Sequence, residues 1–345
     1  MGACTRFRLS LMLLLFVSLP GLQAAGKVRA GKAGTAARMK NIPPPSFDPA
    51  MINNPDTKDY IAPNSAGSAV VRAQILLDRA HFSPGEIDGH YGDNLRVAII
   101  GYQMFHQVPP TGIIDPNTWK LLNADLAPAL VPYVITPEDE AGPFEPVPKS
   151  MMEQAKMQYL GYASPAEELG ERFHTNPELL QKLNPNARLD QPGQQLMVAN
   201  VQRAYGQVHA GRVLVSKSAR TVAAFADDGS VLAQYPATMG SVHDPLPIGN
   251  WVITEVRQNP WFNYNPALFW DAKPGDAKAR IRPGPNNPVG VVWIGLSKEH
   301  YGIHGTPNPS AIGHAESHGC IRLTNWDAEE LSQMVRKGTP AILIE

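Results

Sequence analysis

Cysteine is all but missing: a chain of 345 residues holds two, Cys4 and Cys320. That excludes a disulfide framework, which needs conserved-looking pairs. It also excludes the usual structural zinc patterns, since no Cys-x-x-Cys pair exists. Charge of one sign is missing too. The formal net charge is −1, so the strong basic excess of a nucleic-acid binder is absent. Long apolar runs are lacking beyond the first twenty residues, and a membrane-spanning helix needs about 20 consecutive apolar residues. Proline is plentiful at 33 residues. Clusters such as Pro43-Pro44-Pro45 and Pro143 to Pro148 mark linkers and irregular loops.

The one apolar run is Leu9 to Leu19, preceded by Arg6 and Arg8, broken by Pro20-Gly21 and followed by small Ala24 and Ala25. This pattern is that of a cleaved export signal over residues 1–25. The expectations are a periplasmic or cell-envelope location and membrane contact only during export. Cys4 would leave with the signal, and Cys320 would remain as an unpaired thiol in an oxidising compartment. Such a thiol is either buried or used.

The length suggests several domains. Residues 26–64, rich in Gly, Ala, Lys, Pro and Asn, read as a flexible lead segment. Helical periodicity begins at Ser68, with Val70, Val71, Ile75, Leu76 and Ala80 on one face. A turn at Asp88 to Asn94 follows, then a second helix from about Leu95 to His106 and a short third from Thr118 to Leu122. The Asp-Gly pairs invite a calcium reading, but the ligand spacing of an EF-hand and its closing Glu are absent. Residues 124–152, rich in Pro and acids, read as a linker. In 153–200, Ser164 with Glu167 is a capping box that starts a helix. From Arg212 the period changes to two. Val213–Val215, Thr221–Phe225, Val231–Tyr235, Gly249–Val256, Val289–Leu296 and Thr339–Ile344 are short strands. A single helix, capped by Thr324 and Asp327, interrupts them. The fold class is therefore multidomain: a mainly β domain over 211–345 with one docked helix, preceded by a three-helix domain over 65–123 and a small α/β segment.

The chemistry gathers in Ile303-His304-Gly305-Thr306 and, ten residues later, Ser317-His318-Gly319-Cys320-Ile321-Arg322-Leu323-x-Asn325. A free thiol has a pKa of about 8.5, so a neighbouring imidazole must take its proton or hold the thiolate as an ion pair. Gly319 leaves room for a turn and for substrate backbone. Amides at such a turn stabilise an oxyanion. A metal site built on His304, His314, His318 and Cys320 lacks a familiar ligand spacing, and the expectation is no metal and no cofactor.

These residues resemble the YkuD-type L,D-transpeptidase domain: His304-Gly305-Thr306, the Ser317 to Leu323 motif, and Pro283 to Gly290 followed by Trp293 to Leu296. Val289 departs from the more usual Leu. Asn259 to Arg282, carrying Trp261, Phe262, Tyr264, Phe269 and Trp270, resembles that family's capping loop. Val71-x-Ala-x-Ile-Leu-Leu, Asp88-Gly-x-Tyr-Gly, Ala98-x-x-Gly-Tyr-Gln-x-Phe and Gly112-x-Ile-Asp with Thr118-Trp119 resemble a three-helix peptidoglycan-binding domain. Residues 153–200 resemble a LysM module or form a helical spacer.

The resemblance implies a Cys320 nucleophile that cleaves the bond between diaminopimelate and D-Ala of a tetrapeptide stem, forming a thioester that an amine resolves. His304 is the implied general base, with a carbonyl near Gly305 orienting its other ring nitrogen. His318 and Gly319, with the amide of Cys320, line the oxyanion site. Ser317, Arg322, Gly305, Thr306, Tyr264 and Trp270 are the implied substrate contacts, and Ser317 and Arg322 equally suit support of the loop. His314 is expected at the surface, and His243 receives no role. The implied partners are peptidoglycan and, as one acyl acceptor, an envelope lipoprotein. A hydrolase on the same scaffold and a non-catalytic wall-binding protein are the alternatives.

Overall fold

The computed structural model describes residues 45–201 and 208–345. The export signal and the lead segment up to residue 44 lie outside the described residues.

Helices α2 (Ser68–Arg79), α3 (Asp93–Phe105) and α4 (Pro116–Leu122) form the first module. Their apolar faces meet in a core of Val70, Leu76, Leu77, Leu95, Ile99, Tyr102 and Trp119, as the 3.6 periodicity requires. Asp115 caps α4 through the Thr118 amide and Pro116 sits at its first turn, where its missing N–H costs nothing. The flexible lead expected through residue 64 is ordered from 45 onward. A one-turn helix α1 (Pro49–Ile52) and a bridge between Ile61 and Ile114 pack it on the module. Ile52 and Ile61 are fully buried, and the Trp119 indole donates to the Asp59 carbonyl at 2.6 Å. Two anchors nine residues apart show no periodicity, so composition concealed them.

The expected linker 124–152 contains a strand, β1 (Leu130–Val134), which pairs antiparallel with β2 (Gln195–Ala199). Between them run α5 (Met151–Gln154), α6 (Pro165–Arg172) and α7 (Pro177–Leu183). Ser164 caps α6 as expected, accepting from the Glu167 amide at 3.2 Å. The second module is therefore α/β and begins before residue 153.

The C-terminal domain is one nine-stranded sheet. Its strands are β3 (Arg212–Ser216), β4 (Thr221–Phe225), β5 (Val231–Pro236), β6 (Thr238–Met239), β7 (Gly249–Gln258), β10 (Val292–Leu296), β11 (Gly302–His304), β12 (Ile321–Arg322) and β13 (Pro340–Ile344). A separate hairpin pairs β8 (Phe262–Tyr264) with β9 (Ala279–Ile281). The sheet order is β5-β4-β3-β13-β7-β10-β11-β12-β6. The two edge strands β5 and β6 are consecutive in the chain, separated by Ala237 alone, so the sheet curls until its edges nearly meet. Closure of this kind removes exposed edges. Inward residues such as Val213, Val215, Ile294, Ile303, Ile321 and Leu343 fill the core together with Leu331 of the docked helix α8 (Asn325–Met334). The apolar run placed at Val289–Leu296 enters the sheet only at Val292, because residues 286–291 form a turn fixed by Asn287, which accepts from the Val289 amide and donates to the Arg282 carbonyl.

Candidate active site

Strands β11 and β12 run parallel, with Ile303 opposite Ile321 and His304 opposite Arg322. Side chains alternate across a strand. Ile303 and Ile321 are both fully buried in the core, so His304, Arg322 and Cys320 point the other way. They open into a cleft of about 820 Å³, roofed by Phe262, Tyr264 and Phe269 from the β8–β9 hairpin. Cys320 immediately precedes β12, and it lines the same cleft as His304.

His304 is buried and stacks on Trp293, ring centroids 5.6 Å apart at 21°. Its Nδ1 lies 2.7 Å from the Gly305 carbonyl oxygen. A carbonyl only accepts, so Nδ1 carries the proton and Nε2 holds the free lone pair. Burial pushes the imidazole pKa down to about 3, the Arg322 guanidinium pushes the same way, and the Gly305 carbonyl opposes both. Burial raises the Cys320 thiol, while the Gly302 backbone and Arg322 pull it back. The thiol hydrogen points to the His300 carbonyl at 3.6 Å. Both shifts favour the uncharged forms, a thiol and a neutral imidazole, over an ion pair.

The loop before Cys320 is held from behind. Ser317 donates to the Cys320 carbonyl at 2.6 Å and accepts from the Gly240 amide at 2.7 Å. Ser317 is buried with its hydroxyl engaged in the loop, away from the cleft wall. Gly319 has φ +92, a conformation that side chains rarely adopt, and a Cβ there would sit 2.7 Å from the Tyr301 ring. Only glycine lets the chain turn here against Tyr301. His318 bonds Asp271 Oδ1 of the capping loop at 2.7 Å and packs on Phe269.

Arg322 donates to the Glu316 carbonyl at 3.5 Å and lines the cleft. Burial lowers its pKa, and Cys320 and Asp271 counter that.

Tyr264 lines the cleft and donates to Asp276 at 2.8 Å, burial raising its pKa to about 12. Trp270 does not line it: the ring is 59% exposed and packs on His243, centroids 4.6 Å apart. Gly305 and Thr306 also stay off the wall. Gly305 backs onto Asn325, and Thr306 is buried, accepting from the Asn308 amide. His314 is exposed, at a separate small cavity. Asp271, Tyr301 and Lys298 join the cleft without any sequence signal, being single residues in irregular loops. Among the described residues no group of three or more His, Cys, Asp or Glu side chains is placed to hold a metal ion.

A half-buried thiol that follows a glycine turn and shares one cleft with a buried imidazole is an arrangement that suits thiol-based acyl transfer. The sequence profile of the YkuD L,D-transpeptidase catalytic domain matches residues 210–343, and that of a peptidoglycan-binding domain matches residues 66–122. The chain is 33% identical to the L,D-transpeptidase YkuD of Bacillus licheniformis over half of its own length and 89% of that protein. It is 30% identical to YkuD of Bacillus subtilis over 48% of its own length and 85% of that protein. A solved L,D-transpeptidase from Mycobacterium smegmatis is 22% identical, with a TM-score of 0.32, over 43% of this chain and 62% of that one. The chain belongs to the YkuD family of L,D-transpeptidases, cysteine-dependent enzymes of the cell wall. Among the described residues no helix is long and apolar enough to cross a membrane.

Proposed function

We propose that the enzyme cuts peptidoglycan tetrapeptide stems and joins them to an amine through a thioester on Cys320. Nε2 of His304 takes the thiol proton as sulfur attacks the carbonyl between the L-centre of diaminopimelate and the terminal D-Ala. The negative charge forms on the carbonyl oxygen. The amide of Cys320 and the turn at His318 and Gly319 stabilise it. The D-Ala amine leaves with the proton from His304. An acceptor amine then attacks the thioester, gives its proton to Nε2, and frees the thiol. Arg322 suits a stem carboxylate, since its guanidinium is a planar fork.

The observation that carries this reading is the parallel pairing of β11 with β12, which aims Cys320, His304 and Arg322 into one cleft. The neutral resting pair supports general-base attack over a preformed thiolate. Residues 66–122 hold the enzyme on the wall, and the α/β module, as a LysM-like unit, adds a second glycan contact. Export through a cleaved signal at residues 1–25 to the periplasm or envelope completes the reading. The acceptor amine belongs to a second stem or to a lysine of an envelope lipoprotein.

Purified tetrapeptide muropeptides test this. The expected products are free D-Ala in equal amount to joined stems. Tripeptide and D-Ala without any joined product would mean that water is the acceptor and the enzyme a hydrolase.

A further inference from the structure

We infer that Glu171, a residue of α6 outside the catalytic domain, is a positioning residue for His304. The inference rests on the reading of His304 as the base. The path runs through Asn325, the first residue of α8 and nearly fully buried. Asn325 Nδ2 donates to Glu171 Oε1 at 2.8 Å and to the Pro285 carbonyl at 3.1 Å, and its Oδ1 accepts from the Val291 amide at 3.2 Å. Every polar atom of that amide is used.

Asn325 sits in the elbow between two glycines. A Cβ on Gly290 would lie 2.0 Å from Asn325 Oδ1, and one on Gly305 would lie 2.2 Å from it. Nothing but hydrogen fits, so the place of the Asn325 amide sets the place of the Gly305 peptide. The Gly305 carbonyl is the acceptor that fixes the tautomer and the plane of His304. Glu171 holds Asn325 from the far side, with Tyr162 donating to the same carboxylate oxygen at 3.4 Å. The helical module thereby reaches the base of the active site through one hydrogen-bonded side chain. Polar partners behind a catalytic imidazole determine its orientation and basicity.

Glu171→Leu removes the acceptor, whereas Glu171→Gln keeps an oxygen in the same place. For Glu171→Leu we expect kcat to fall about ten-fold with KM changed by less than about two-fold, because a small misplacement of a catalytic group acts on the chemical step. Glu171→Gln should restore kcat. The 15N spectrum of His304 should show the single Nδ1-protonated tautomer in the wild type and in Glu171→Gln, and a mixture in Glu171→Leu. Glu171→Ala replaces Glu171→Leu should the latter not fold. An unchanged kcat and tautomer in the folded Leu or Ala variant overturns the inference, as does a loss that only tracks the folded fraction. His304→Gln separates the two readings: activity retained there removes His304 as the base, whereas an inactive His304→Gln beside an unaffected Glu171→Leu removes the role of Glu171 alone.

Discussion

At the scale of single residues the site is set by opposed shifts. Burial and Arg322 lower His304, and burial raises Cys320. A preformed thiolate would be alkylated at a constant rate down to pH 5. The neutral pair predicts that the rate at which iodoacetamide modifies Cys320 climbs with pH and has no plateau below the ordinary thiol value of about 8.5; a plateau at pH 5–6 would show an ion pair instead. Glu171 carries the opposite kind of shift. Burial raises its carboxyl to about 8, Glu167 and Glu329 add to the rise, and Asn325 and Tyr162 oppose it. Its folded pKa lies above the ordinary carboxyl value of 4.5, so the folded state holds the proton where the unfolded chain has released it. That contribution to stability is full below the unfolded pKa and is lost as pH rises through about 8. Melting temperatures should therefore fall between pH 5 and 9 more steeply for the wild type than for Glu171→Gln. Parallel curves would mean that the carboxyl is already ionised. Cys320, Gly319 and His304 are legible in sequence because they fall in two short motifs rich in His and Gly. Glu171 is not, since 154 residues separate it from Asn325.

At the scale of elements, legibility followed strand length. The five-residue strand β4 is read to the residue, and β3, whose burial alternates, is read one residue short at each end, as Val213–Val215. Strands β6, β8, β9, β11 and β12 have two or three residues each, too few to show a period of two. Pro132 hid β1, because proline argues against a strand unless it lies at an edge, and β1 pairs on one side only. The aromatic capping loop was visible in composition, but its anchor was not. Leu160 is fully buried against Tyr264 and Ile281, and its backbone bonds Pro283 and Asn286 on either side of Gly284. The stretch before α6 thereby clamps the base of the hairpin that roofs the cleft. Leu160→Ala should destabilise the protein by about 2–5 kcal/mol, the cost of emptying a buried leucine site. It should also raise KM for stem peptides, by loosening the roof, while leaving the alkylation profile of Cys320 unchanged. A melting point equal to that of the wild type would show that the loop does not depend on this anchor.

At the scale of the whole molecule, the modules that sequence reads as separate beads are sewn together. The described residues form one compact unit. Gln234 on β5 donates from its backbone to His81 at 2.8 Å and from its side chain to Val97 at 3.0 Å. Ser83 donates to Asp327 at 2.9 Å, Asn94 to the Ile312 carbonyl at 2.8 Å, and the His174 ring stacks on Trp326 with centroids 4.9 Å apart. Such contacts join residues far apart in the chain, and no local pattern announces them. Unfolding should thus follow a single cooperative transition, seen alike by calorimetry and by tryptophan fluorescence. Deleting residues 45–201 should lower both the melting point and kcat, since Leu160 and Glu171 leave together. Two separated transitions, or a truncated enzyme of full activity, would contradict this coupling.

The most direct test of the account is the covalent intermediate itself. Acid-quenched enzyme, taken during turnover of a tetrapeptide stem, is digested and mapped by mass spectrometry. The account predicts one adduct, the stem less D-Ala, on the peptide containing Cys320 and absent from Cys320→Ala. An adduct on another residue, or turnover by Cys320→Ala, would contradict it.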